Sequence, residues 1–215
     1  MRRLIHALGL AGLLCFALLT HAGQDDDFAA AAALFQKAAG GDKSAVDEAV
    51  TRFERLAAAD TPYAPTLQAY LGAAQAMQGR DAWMPWTKMR ATERGLANLD
   101  RALRHLEPRH DATLLRQVPV ALETRLVAAT TFIALPDLFH RFDSGKALLR
   151  AALSSPAFPA APPAVRAALH RQAALVAAKE KQTHEEAAQW RLAIAADSAG
   201  EFAAAARQRL QELGS

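Results

Sequence analysis

Five of the seven histidines lie beyond residue 22, and their spacing bears on whether the chain could bind a metal or catalyse proton transfer. His105 and His110 are the nearest pair, five residues apart with Pro108 between them. A helix presents two ligands on one face when they are three or four residues apart, so this pair is a poor metal-binding motif. The chain also has no recognisable serine nucleophile motif and no glycine-rich phosphate loop. We therefore predict no metal, no cofactor and no enzymatic activity.

Two segments, residues 81–90 and 135–143, concentrate large apolar side chains around a proline. We expect both to be connectors within helical hairpins, placed side by side at one end of the molecule. The exposed aromatic cluster that would result is typical of interaction sites. An alternative is that the proline of each segment kinks an extended helix and the aromatic rings pack as core. We predict partner binding by Trp83, Trp86, Met89, Phe139 and Phe142.

A basic stripe is a second candidate for binding. Arg90, Arg94 and Arg101 follow one another at positions i, i+4 and i+11, which places them on one side of a helix. The alternative is a solvated helix face, on which Asp100 pairs with Arg104.

The first 22 residues have the pattern of a cleaved secretory signal peptide. Arg2 and Arg3 precede an uncharged apolar run from Ala7 to Leu19, and small residues follow at Ala22 and Gly23. The run is shorter than the roughly 20 residues that a membrane-spanning helix needs. We therefore expect export, with no stable membrane anchor after cleavage, and a single domain over residues 23–215.

The remaining chain is nearly neutral. Removing Arg2 and Arg3 from the 25 basic residues leaves 23, against 22 acidic ones, for a formal net charge of +1. This balance provides no argument for a nucleic-acid partner. The only cysteine, Cys15, lies in the leader, so the stability of the remaining chain depends on packing rather than on a disulfide.

The elements that would position these residues form a repeat. Four times a small residue is followed four positions later by a large apolar one, and three positions after that by another small or apolar one. The four sets start 46, 50 and 43 residues apart, a spacing typical of stacked helical units. Two helices approach closely where one side chain is small and a large one fills the space beside it. The sets are Ala49/Phe53/Leu56, Gly95/Leu99/Ala102, Gly145/Leu149/Ala152 and Ala188/Leu192/Ala195.

This pattern resembles the tetratricopeptide repeat. Leu71-Gly72 occurs late in one first helix, and Pro62, Pro108 and Pro156 follow the first small residue of their sets by 13, 13 and 11 positions, where the family has proline near position 12. The resemblance implies an all-α, right-handed solenoid of helical hairpins. We expect about four hairpins and a C-terminal closing helix.

By this resemblance, and by its richness in alanine and arginine, the chain is expected to act in the periplasm of a Gram-negative bacterium. We expect a scaffold or adaptor that binds a protein or peptide of the bacterial envelope, or that assists assembly of an envelope complex. By the same resemblance, the basic stripe could hold the carboxylate of a peptide tail. The alternative is an accessory protein of a transporter, in which the aromatic connectors enclose a small molecule. The sequence leaves the oligomeric state open.

Overall fold

The computed structural model describes residues 26–214, and the predicted signal peptide of residues 1–22 lies outside them. The described chain is almost entirely helical, which confirms the all-α class. The helices are α1 (26–39), α2 (Ser44–Ala57), α3 (Ala64–Asp81), α4 (Pro85–Arg104), α5 (Val120–Ala134), α6 (Phe142–Leu153), α7 (Pro163–Lys179), α8 (Thr183–Ala196) and α9 (Ala203–Glu212). No helix within residues 26–214 is long and apolar enough to cross a membrane.

Prolines mark the starts of several helices. Proline lacks a backbone N–H and its φ angle suits the first turn, so Pro85 begins α4 and Pro163 begins α7. The start of α4 corrects a sequence-based expectation, which placed this helix from Ala91 onward and residues 81–90 in a long connector. The connector is only residues 82–84, and Trp86, Met89 and Arg90 lie in the first turns of α4.

Three connections contain structure that the sequence pattern did not predict. Between α4 and α5, a short 3-10 helix (Pro108–Asp111) is followed by two-residue antiparallel strands, β1 (Leu114–Leu115) and β2 (Val118–Pro119). Arg116 and Gln117 make the turn between them with positive φ angles of 47° and 68°, as a two-residue hairpin requires. Two further 3-10 helices, Asp137–Phe139 and Phe158–Ala160, precede α6 and α7.

Helices that follow one another along the chain pack together, most extensively in the pairs α3–α4, α7–α8 and α5–α6. In addition, α5 packs against α3 and α7. The closest approach is that of α3 and α4. A Cβ atom built on Gly95 would lie 2.5 Å from the carbonyl oxygen of Gly72, and one on Gly72 would lie 2.6 Å from that of Gly95. Both positions therefore require the absence of a side chain, which allows the two backbones to touch.

The residues of the first three predicted sets lie at the helix interfaces. Ala49, Phe53, Leu99, Ala102, Leu149 and Ala152 are buried, as are Gly95 and Gly145. Gly145 sits where a Cβ atom would come 2.9 Å from the Cγ1 atom of Ile133.

The fourth set is wrong. Leu192 is 45% exposed, Ala195 is exposed and Ala188 is only half-buried. The buried face of α8 lies instead on Glu186, Ala187, Trp190 and Ala193, turned away from the predicted face. Trp190 explains this rotation, because its large ring packs with Ala174 and Ala206 between α7 and α9.

An aromatic cluster joins α1, α2 and α3. The ring of Tyr70 stacks on that of Phe53 with centroids 5.1 Å apart, and it meets Phe35 edge-to-face at 4.9 Å and Phe28 at 5.5 Å. Such contacts stabilise a pair by about 1 kcal/mol beyond the area that they bury. The cluster therefore holds the Tyr70 ring from three sides.

Candidate functional site

The tryptophans of the first predicted binding segment are exposed. Trp83 is 90% and Trp86 is 61% accessible, so the alternative of a packed core does not apply to them. Met84, Met89 and Leu138 are exposed as well. The surfaces of globular proteins rarely expose so many large apolar side chains together, and such patches are typical of sites that contact another molecule.

The predicted clustering of four aromatic rings does not occur. Within residues 26–214 no ring contact joins either tryptophan to Phe139 or Phe142. Phe139 is half-buried and packs against the core of α1 to α5. Phe142 packs against a second core between α5 and α7, where the Lys179 Nζ atom lies 4.3 Å from its ring centroid. The two segments also differ in local structure: the first continues directly into α4, whereas the second forms a 3-10 turn, Asp137–Phe139, before Phe142 begins α6.

The three arginines of the basic stripe are exposed on α4. Arg94 donates a hydrogen bond of 2.8 Å to the side-chain oxygen of Gln78. Asp100 does not pair with Arg104, as the alternative supposed, but accepts two hydrogen bonds, of 2.9 and 2.7 Å, from Arg141. That bidentate pair ties α4 to the segment before α6.

A groove of about 1140 Å³, which the sequence did not reveal, is a large concave surface of the described chain. It runs across α1, α3, α5 and α7, the first helix of each successive pair, and α4 contributes Pro85, Lys88, Met89 and Thr92 at one edge. Of the predicted binding residues, Met89 and Phe139 line it. Trp83 and Trp86 surround Pro85 in the sequence but are not among the lining residues. The apolar lining includes Phe35, Ala73, Ala76, Met77, Leu126, Val127, Ala134, Leu135, Val165 and Ala168.

A tyrosine and a glutamate in the wall of the groove, Tyr70 and Glu123, are joined by a hydrogen bond. The hydroxyl of Tyr70 donates a short hydrogen bond to the carboxylate of Glu123, linking α3 to α5. One helical turn before Tyr70, the buried Thr66 hydroxyl lies 3.2 Å from the carbonyl oxygen of Val120 and 3.0 Å from the hydroxyl of Thr124. These buried bonds fix the register of α3 against α5 and therefore the position of the pair.

The pKa values of the pair are displaced by its surroundings. Burial raises the pKa of the Glu123 carboxyl, and the hydrogen bond from Tyr70 offsets part of that rise. Burial, followed by the nearby Glu123 charge, raises the pKa of Tyr70 well above its usual value. Tyr70 therefore stays protonated at neutral pH and remains the donor.

A second polar region lies where α7 meets the segment before α9. The guanidinium of Arg171 stacks over the ring of Phe202 at 5.0 Å, and Gln172 and Glu201 line the groove beside it. Burial lowers the pKa of Arg171, while the charge of Glu201 acts in the opposite direction. This end of the groove therefore carries both signs of charge.

No histidine within residues 26–214 lines the groove. His110 is buried and its Nδ1 atom accepts a hydrogen bond of 2.9 Å from the backbone of Glu107, which is a structural role. His170 bonds to Gln189 and packs edge-to-face on Phe158. Within residues 26–214 no three histidine, cysteine or acidic side chains come together as a metal site.

One sequence signal could have indicated Glu123. It is the only acidic residue of α5, a helix that is otherwise mostly apolar. An isolated carboxylate beside an apolar stripe is a weak signal, because its partner on α3 is 53 positions away along the chain.

No known protein family, curated protein or solved structure matches this chain.

Proposed function

We propose that this protein is a binding module of the bacterial envelope, a scaffold or adaptor whose groove holds a segment of another protein. The groove of about 1140 Å³ across α1, α3, α5 and α7 is the observation that carries the proposal. Its lining is mainly apolar with a few polar side chains, which is typical of a concave binding site.

The size of the groove is compatible with a protein segment. Small-molecule sites usually measure about 300–1,000 Å³. A helix about 10 Å in diameter that filled 1140 Å³ would be roughly 14 Å long, or about nine residues. The groove therefore suits a segment on the order of ten residues.

The exposed tryptophans support the same proposal. Trp83 and Trp86 precede and follow the groove-lining Pro85 in the chain, and both rings are exposed and available to a partner. Tryptophan is enriched among the residues that carry most of the energy of protein interfaces. The arginines of α4 lie on another part of that helix and do not line the groove, so they would act only on the outer part of a bound chain.

The proposal includes a tetratricopeptide-like solenoid and export to the periplasm. Contact between successive helices and the buried residues of the first three sets support the solenoid. The leader pattern of residues 1–22 supports export.

Photo-crosslinking in cells tests the proposal. Probes replace Trp86 at the tryptophan patch and Phe139 in the groove, and a control probe replaces the exposed Gln208 on α9. We expect both site probes, but not the control, to crosslink to one contiguous segment of the same envelope protein, identified by mass spectrometry. Crosslinks equal to those of the control in folded, exported protein would refute the proposal. A small molecule captured in place of a protein would establish the transporter-accessory alternative.

A further inference from the structure

We infer that the Glu123–Tyr70 pair anchors one cationic side chain, a lysine or an arginine, of an otherwise apolar segment in the groove. This inference deepens the proposed function and rests on it, since it states which chemistry the groove selects.

The carboxylate of Glu123 lacks the ion pair that three other buried or half-buried carboxylates of this chain have. Asp100 pairs with Arg141 at 2.7 Å, Glu186 pairs with Arg209 at 2.6 Å, and Glu180 pairs with Lys146. No lysine, arginine or histidine within residues 26–214 forms an ion pair with Glu123. A carboxylate in an apolar wall is unfavourable without a positive partner. A cation brought by the bound segment would supply that partner.

The hydrogen bond from Tyr70 positions the carboxylate and leaves part of it available. It engages the Oε1 atom of Glu123, and within the described residues no donor reaches the Oε2 atom. An ionised carboxylate accepts about four hydrogen bonds, so it has room for an ammonium or guanidinium group. The ring of Tyr70 is held by Phe28, Phe35 and Phe53, which keeps the pair ordered before a ligand arrives.

The surroundings suit the rest of a basic side chain. Ala73, Leu126 and Val127 line the groove near the pair and would cover the methylene stem of a lysine or arginine. The groove's other carboxylate, Glu201, already interacts with the charge of Arg171. Lys88 lines the groove near the C-terminal end of α3, where Arg80 is already paired with Asp81, and the Lys88 charge would repel a second cation there. We therefore expect one basic residue in the bound segment.

Synthetic peptides test the inference on the protein produced from the full chain. The probes are dye-labelled ten-residue peptides of alanine, leucine and glutamine, with one lysine placed at each position in turn. Each has a counterpart in which that lysine is acetylated, which removes the charge and keeps the stem. Fluorescence anisotropy at 0.15 M salt gives the dissociation constants. We expect the best lysine peptide to bind at least tenfold more tightly than its acetylated counterpart.

Two variants assign that preference to a residue. In Glu123→Gln the preference for lysine should fall below twofold, whereas Glu54→Gln, which removes an exposed carboxylate of α2 outside the groove, should retain it. Glutamine can accept the hydrogen bond from Tyr70 and carries no charge, so Glu123→Gln should unfold at a temperature no lower than the unchanged protein.

The outcomes separate this inference from the proposed function. If Glu123→Gln prefers the lysine peptide over its acetylated counterpart as strongly as the unchanged protein does, the inference is overturned and the groove remains a peptide site. If no peptide binds while crosslinking still identifies a segment at Phe139, the inference also fails and the proposed function stands. If neither is observed, both fail. Dodecylammonium, a small molecule with a positive head group and an apolar chain, is tested as well. If it binds in a way that depends on Glu123 while no peptide binds, the choice of a protein segment is overturned.

Discussion

Replacing Gly95 with alanine should destabilise the protein, although alanine is the better helix former. The added Cβ atom would lie 2.5 Å from the carbonyl oxygen of Gly72, 2.8 Å from the backbone nitrogen of Ala76 and 3.3 Å from its Cα atom. All three are backbone atoms of α3, so no side chain can rotate out of the way. Relief requires α3 and α4 to separate by up to roughly 1 Å.

The cost of this separation can be set against the gain in helix propensity. A gap of 0.5–1 Å forfeits about a quarter to a half of the dispersion energy of the atoms that face it. Overpacking of a well-packed interface costs about 1–3 kcal/mol, and the rigid backbone here argues for the upper value. Alanine recovers about 1 kcal/mol relative to glycine within a helix. We therefore expect a net loss of about 2 kcal/mol in the free energy of unfolding.

Thermal unfolding followed by circular dichroism at the helix band is the assay. For a chain of this size, about 1 kcal/mol corresponds to roughly 2–4 °C, so Gly95→Ala should melt about 4–8 °C lower. Gly40→Ala is the matched control, because a Cβ atom there would have its nearest neighbours at an ordinary 3.4 Å. It should change the free energy of unfolding by less than about 0.5 kcal/mol. A Gly95→Ala variant that melts at or above the unchanged protein would refute the packing argument.

Three further predictions address other parts of the structure. Gly145→Leu should lower the melting temperature, because even its Cβ atom would lie 2.9 Å from Ile133 Cγ1; an unchanged temperature would contradict this close packing. Leu149→Ala should cost about 2–5 kcal/mol in denaturant unfolding, whereas Leu192→Ala, at an exposed position, should cost less than about 1; equal costs would contradict the observed face of α8. The hydrogen bond from Arg209 lowers the pKa of Glu186 in the folded protein. The ionised pair therefore stabilises the fold at neutral pH, and this contribution is lost as the pH falls below about 4.3, the usual pKa of a glutamate. The free energy of unfolding should therefore fall more steeply from pH 5 to pH 3 in the unchanged protein than in Glu186→Gln, and parallel curves would contradict this linkage.

Much of the helical organisation could be predicted from local signals. Proline and glycine residues indicate many of the helix boundaries. Small residues at helical spacing indicate where Gly95 and Gly145 contact neighbouring helices. These signals affect only residues a few positions away along the chain, so they can be recognised in the sequence alone. The start of α4 was missed because the hydrophobic segment around Pro85 was interpreted as a connector, although proline is favoured at the first helical position.

The face that each helix buries was less predictable. On α8, small residues occur at so many positions that the pattern of small and large residues fits several different faces of the helix. The Trp190 ring selects among them, because it needs the space between α7 and α9. A repeat pattern rich in alanine therefore indicates that helices pack closely, without deciding which residues face one another.

The candidate site divides in the same way. The sequence by itself determined an all-helical chain with helical hairpins, and it indicated an unusual concentration of aromatic residues near Pro85. Only the tertiary structure decided that Trp83 and Trp86 face solvent, that Phe139 lines a groove and Phe142 does not, and that Glu123 meets Tyr70. The physical reason is that the groove is built by alternate helices, α1, α3, α5 and α7. Its facing residues lie tens of positions apart and come together only when the intervening helices pack.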